Sequence, residues 1–98
     1  MLPELRARDF ETKVIGKLRK VFTVRCTSTG DVHYTAKDRQ TGKLILRTKH
    51  SQKRRISPWQ AEQIKKQLFL TRQGFFDLMD CPLSADGYRN LLIEKGKI

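Results

Sequence analysis

The chain holds two histidines, His33 and His50, among 21 Lys and Arg and 10 Asp and Glu residues. An imidazole titrates near pH ~6.5, so either histidine has the chemistry of a general base, a metal ligand or a phosphate contact. Spacing argues against a metal. No pair of ligands stands four apart on a helix with a carboxylate cluster beside it, and Cys26 and Cys81 form neither a CxxC pair nor a Cys/His set. Both thiols are read as free, and no cofactor is expected. Asp31 and Asp38 fall in turn-like stretches, where an aspartate is expected for its own local hydrogen bonds. What surrounds the histidines is positive charge: Arg25, Lys37, Arg47 and Lys49 in strand-like segments, then Lys53, Arg54 and Arg55 just after His50.

That charge is one-sided. Fifteen of the 21 basic and five of the ten acidic residues precede Ile56, which leaves a net charge of +10 before it and +1 after it. Lys and Arg that replace counterions along a phosphate backbone supply a sequence-independent binding term, strong at low salt and lost as salt rises. Nucleic acid is therefore the expected partner. An anionic membrane is the weaker expectation, because the basic residues lie partly in strands and not on one amphipathic helix. No apolar run of signal-peptide or membrane-spanning length occurs, so a cytoplasmic protein is expected. At 98 residues the chain makes one domain with a modest core.

Periodicity supplies the elements that must position these residues. Phe10, Val14 and Leu18 recur at four-residue steps with Ile15 beside them, which predicts an amphipathic helix over about 9–20, capped by Asp9 and weakened by Gly16. From Val21 the period becomes two. Phe22, Val24 and Cys26 alternate with Thr23 and Arg25, and Val32, Tyr34 and Ala36 alternate with His33, Thr35 and Lys37, so His33 faces away from the core. Residues 27–31 read as one turn and residues 38–42 as another, with Gly42 free to take positive φ. Leu44-Ile45-Leu46 opens a third strand reaching about His50, whose parity groups it with Leu44 and Leu46. Three antiparallel strands in a meander follow. Ser51 to Arg55 reads as a basic loop, and Ser57-Pro58-Trp59-Gln60 as a helix start with a capping box. Thr71 and Ser84 cap two more helices, a C-terminal hairpin broken at Cys81-Pro82. The fold class is α+β, a three-stranded antiparallel sheet with helices on one face and a helical hairpin at the end.

The order helix, meander, basic loop, capped helix over residues 5–71 resembles the double-stranded-RNA-binding fold as used by HicA-type toxins, small mRNA interferases. The likeness lies in Gly30 followed by His33 at the second strand, in Leu44-Ile45-Leu46 ending at His50, in Ser57-Pro58 opening the helix, and in Phe69-Leu70-Thr71 closing it. That family has Gly-Ser-His at the first of these places, a Val-Pro pair before the second histidine, and commonly a Gly-Leu/Ile-Thr/Ser step at the last. Here Gly30-Asp31-Val32-His33 lacks the serine and is one residue longer, Arg47-Thr48-Lys49 stands in for the Val-Pro pair, and residues 72–98 extend beyond the family's core. The resemblance implies a metal-independent endoribonuclease with His33 as its catalytic base and His50 as a second, less essential histidine. In such an enzyme the imidazole takes the proton from a ribose 2′-hydroxyl, and nearby cations stabilise the charge on the phosphorane.

The nucleic-acid contacts expected are Arg25, Lys37, Arg47, Lys49, His50, Lys53, Arg54 and Arg55, with Trp59 able to stack on an unpaired base or to pack on the sheet. Phe75-Phe76-Asp77-Leu78-Met79 carries more apolar bulk than one short helix hides, which suggests an interface there: an antitoxin for a toxin, a second copy for a binding module. Two functional classes stand, an RNA-cleaving toxin and a non-catalytic DNA- or RNA-binding module such as a small regulator or architectural protein; a purely structural accessory protein of a phage or a larger complex comes third.

Overall fold

In the computed structural model, which describes residues 2–80 and 82–98, strand β1 (Leu5–Arg6) leads into helix α1 over residues 7–21. The meander is β2 (Thr23–Thr29), β3 (Asp31–Lys37) and β4 (Leu44–Ser51), followed by β5 (Arg55–Ile56) and by α2 (Pro58–Gln67), α3 (Arg72–Asp80) and α4 (Ala85–Glu94). The three long strands form an antiparallel sheet in the order β2-β3-β4, and β1 and β5 form a separate antiparallel pair.

Helix α1 starts earlier than Asp9, whose side chain caps nothing and whose backbone is already helical. Its middle, Phe10–Ile15, is wound as a π-helix, closed by a bond from the Gly16 N–H to the Glu11 carbonyl. Phe10, Val14, Ile15 and Leu18 all come to face inward and are fully buried. Gly16 lies inside the helix without ending it.

The first hairpin is tighter than its turn residues suggested. Thr27 to Thr29 belong to β2, paired through Thr29 with Asp31, and Gly30 alone makes the reversal at φ +84°. In the second hairpin Gly42 has φ +73°, and the Asp38 carboxylate accepts from the Gln40 and Thr41 amides and the Thr41 hydroxyl. Those bonds, the Thr41 amide foremost, hold its carboxyl below the usual carboxylate range, so Asp38 serves its turn and not a histidine. Between the hairpins, Ala36 pairs with Leu46 and Lys37 with Leu44, which makes Ile45 a β-bulge. The bulge moves Leu44 to the opposite face from Leu46 and leaves it 38% exposed, so the shared parity expected for Leu44 and His50 does not hold.

Ser57, Thr71 and Ser84 accept hydrogen bonds from the amides of Gln60, Gly74 and Gly87, as expected of caps. Gln60 does not complete a capping box; its carboxamide accepts from the Ser51 hydroxyl at 3.4 Å. At the other end of α2, Phe69 takes φ +61°, while the Phe69 and Leu70 amides bond to the Lys66 and Lys65 carbonyls. This is a left-handed helix stop with a bulky residue in a slot that favours glycine.

One buried cluster joins these elements, with β2 touching it only through the half-buried Val24. Phe10, Leu18, Tyr34, Leu46, Ile56, Ile64, Phe75, Leu78, Tyr88 and Leu92 belong to it. The apolar bulk of α3 is thus largely used inside, since Phe75, Leu78 and Met79 are buried and Phe76 is half-buried with the Arg72 guanidinium 5.6 Å from its ring centroid. Lys17 fastens α1 to this end by donating to the Leu78 and Leu83 carbonyls at 2.6 and 2.8 Å. Among the described residues the large hydrophobic side chains left exposed are Leu44, Trp59 and Ile93. Cys26 is an exposed free thiol; Cys81 lies outside the described residues. No helix of the described residues is long and apolar enough to cross a membrane.

Because residues 72–98 share the core of the sheet, Phe75→Ala should cost about 3–5 kcal/mol of unfolding free energy. Helix and sheet signals should still vanish in one denaturant transition. Loss of helix signal alone, with the sheet intact, would show instead that the last two helices form a separate unit.

Candidate nucleic-acid interface

Register decides which basic side chains meet. His33 pairs with Thr27 on β2 and with Lys49 on β4, and Thr35 pairs with Arg25 and Arg47. Lys37 pairs with Thr23 and Leu44. Directly paired residues point to the same side of a sheet, so Arg25, His33, Lys37, Arg47 and Lys49 share one face. Val32, Tyr34, Ala36, Leu46, Thr48 and His50 share the other, which the helices cover. On the open face Arg25, Lys37, Arg47 and Lys49 are exposed and His33 is half-exposed. Arg25 and Arg47 flank Thr35 across two strand spacings, about 10 Å. Around the β4 edge His33, Arg47, Lys49 and Gln67 line a small depression of about 180 Å³. Lys49 also lies 3.7 Å from the Asp31 carboxylate, an exposed pair that contributes ~0–1 kcal/mol and leaves the lysine able to turn to a phosphate.

His50 does not join that face. It is 5% exposed, edge-on to Phe10 with ring centroids 5.8 Å apart and tilted over Tyr34 at 5.6 Å. Its Nδ1 lies 2.7 Å from the Ser51 carbonyl, which can only accept, so Nδ1 carries the proton. In the neutral ring Nε2, 3.2 Å from the Tyr34 hydroxyl, then accepts from it. Both nitrogens are satisfied inside the protein. His50 is thus buried on the covered side, where it fixes the end of β4 against α1 and Tyr34, rather than standing with the open-face cations.

Lys53, Arg54 and Arg55 stand at the end of the sheet beside residues far away in sequence. Leu5 pairs with Ile56 and Arg6 with Arg55, and the Ala7 amide bonds to the Arg54 carbonyl at 2.9 Å. This brings Arg6 and Arg8 opposite Lys53 and Arg54 across an open cleft of about 830 Å³, with His50 in its floor and Glu11 on its wall. Arg55 is tied to Glu4 at 3.1 Å. The sequence gives no sign of Arg6 and Arg8 as site residues, because a two-residue strand has no periodicity to read. Trp59, in the first turn of α2, is 64% exposed and packs on nothing like a sheet. It stands over a groove between β4 and α2 whose wall includes Lys49, Gln60, Gln63 and Gln67.

Among the described residues no three His, Cys, Asp or Glu side chains cluster as metal ligands would. The chain matches no protein-family model, no curated protein and no solved structure.

The pair under the cleft is open to a direct check. Burial, followed by the negative charge of Glu11, pushes the Tyr34 phenol up to about 12, and burial pushes that of Tyr88 up as well. A folded-state pKa above the unfolded one gives stability that is complete below pH ~10 and is lost as pH rises through the folded value. Alkaline titration of phenolate absorbance, which reports the chain's two tyrosines, should therefore show neither ionising near pH ~10 and both ionising together with unfolding. A tyrosine that ionises near pH ~10 in a protein with native circular dichroism would contradict the buried Tyr34–His50 pair or the burial of Tyr88.

Proposed function

We propose that the protein is a small basic nucleic-acid-binding protein of the cytoplasm, acting on RNA, which takes the phosphate chain across the open face of its sheet. The observation that carries this reading is the convergence of Arg25, Lys37, Arg47 and Lys49 from three strands on one exposed face. The cleft formed by Arg6, Arg8, Lys53 and Arg54 extends the cationic surface past the end of the sheet. Cations on a strand scaffold hold their spacing better than cations on a loop, and each phosphate neutralised releases counterions.

A second reading, an mRNA interferase of the HicA type, is favoured by the position of His33 within that face, opposite Lys49 and diagonal to Arg47. Phe69 adds a conformational likeness: at φ +61° it occupies the place where that family commonly has glycine. In this reading the His33 imidazole takes the proton of a ribose 2′-hydroxyl, whose oxygen attacks the adjacent phosphorus. The bond from phosphorus to the 5′-oxygen then breaks, and the leaving oxygen takes a proton from the imidazolium or from water. Lys49 and Arg47 stabilise the phosphorane's added charge. The products are a 2′,3′-cyclic phosphate and a 5′-hydroxyl, and the step as written uses no metal. A toxin of this kind would need a protein antitoxin.

Binding measured against salt tests the first reading. Log affinity for single-stranded RNA should fall linearly with log salt, and reversing Arg25, Arg47 and Lys49 to Glu should weaken binding to all sequences alike and flatten the slope by about 2. An affinity indifferent to salt, or to the reversal, would refute it. Cleavage has its own test, because His33→Ala should abolish a chelator-resistant cyclic-phosphate product while binding persists and stability changes by less than about 0.5 kcal/mol. Wild type and variant leaving RNA equally intact would remove the nuclease reading and retain the binding one.

A further inference from the structure

Between the two cationic surfaces lies a groove of different chemistry. It encloses about 290 Å³ between the β4 edge and α2, with Trp59 at its rim and Gln60, Gln63, Gln67, Asp31 and Lys49 in its walls. At ~30 Å³ per water molecule it is the size of roughly ten waters, enough for a heterocyclic base to enter. Trp59 is set on a rigid base, since Pro58 opens the helix and Ser57 caps it, yet its ring is left mostly in water.

The three glutamines repeat along one face of α2 at the spacing of a helix turn. Two are held by their oxygens: Gln67 Oε1 accepts from the Thr48 hydroxyl at 2.8 Å, and Gln60 Oε1 from the Ser51 hydroxyl at 3.4 Å. Their NH₂ groups are then the donors available to a guest. The Asp31 carboxylate, 3.7 Å from Lys49 Nζ, supplies an acceptor beside them. A flat aromatic surface with donors and an acceptor at its side is the combination that stacks on a nucleobase and bonds to its edge.

Location picks the guest. His50 forms part of the floor of both the Arg6–Arg54 cleft and this groove, and Lys49 and Gln67 line both the groove and the depression at His33. The three concavities adjoin in series, cationic on either side and close to neutral in the middle. A phosphate chain lying on the cations crosses the mouth of the groove, where one base that is not paired can turn in.

We propose that this groove is a binding pocket for one unpaired nucleobase, stacked on Trp59 and bonded along its edge by the Gln60 and Gln63 carboxamides and the Asp31 carboxylate, which makes the protein a reader of single strands. The inference rests on the nucleic-acid reading above and adds to it the class of strand and the residues that select it.

Trp59 is the only tryptophan in the chain, so its emission reports on the groove alone. Short RNA homopolymers should quench it saturably. An abasic oligomer of equal charge should bind with the same kind of salt dependence and leave the emission unchanged. Trp59→Ala, followed by competition against a labelled strand, should weaken base-bearing oligomers on the order of ten-fold or more and leave the abasic oligomer's affinity as it was. Gln63→Ala should reorder the four homopolymers.

Equal quenching by the abasic oligomer, or equal loss for both kinds of oligomer in Trp59→Ala, overturns the base pocket while the nucleic-acid reading stands. An unchanged order in Gln63→Ala overturns its part in reading the base edge. If no oligomer binds in a salt-dependent way, the nucleic-acid reading fails and the pocket with it.

Discussion

Successive side chains of a strand point to opposite sides of a sheet, so the register in which β3 is held between β2 and β4 divides this molecule into its two halves. Val32, Tyr34 and Ala36 go to the helices, and His33, Thr35 and Lys37 go to solvent. A slip of one residue would put a histidine and a lysine into the core and a tyrosine outside. Several contacts set against that slip lie on the covered side. Tyr34 is locked by the edge of the Phe10 ring at 6.0 Å and by the Nε2 of His50, and Thr48 is bonded to Gln67 of α2. The open face therefore owes its arrangement in large part to packing on the covered side.

The same division explains which parts of the molecule were legible from its residues. Alternation at Val32–Lys37 needs only the burial of one face, so the orientation of His33 could be read directly. The shared face of Arg25, Lys37, Arg47 and Lys49 required the register as well, which a single chain does not encode in its period. Leu44 shows how this fails: one bulged residue at Ile45 moved it to the side opposite Leu46. Likewise the four-residue steps of Phe10, Val14 and Leu18 fit an ordinary amphipathic helix, so nothing in the spacing announces the π-wound stretch at Phe10–Ile15.

What could not be read was long-range. The β1–β5 pair is two residues on each side, with no pattern to detect, yet it turns an N-terminal segment into one wall of a cationic cleft. Parity alone put His50 on the side of Leu46 but could not show the partners that let an imidazole be buried there, the Tyr34 hydroxyl and the Ser51 carbonyl. Trp59 went the other way. A side chain of its size is usually covered, and its exposure beside a polar groove is a clue to a guest that only the packing of α2 on β4 makes visible.

The central claim is that the uncovered side of the sheet receives nucleic acid, and amide chemical-shift mapping during titration with single-stranded RNA tests it most directly. The account predicts that the largest changes fall on Arg25, His33, Thr35, Arg47 and Lys49 and on the 53–55 segment, with α3 and α4 nearly silent. Changes concentrated on α3 and α4, or none at all, would contradict it.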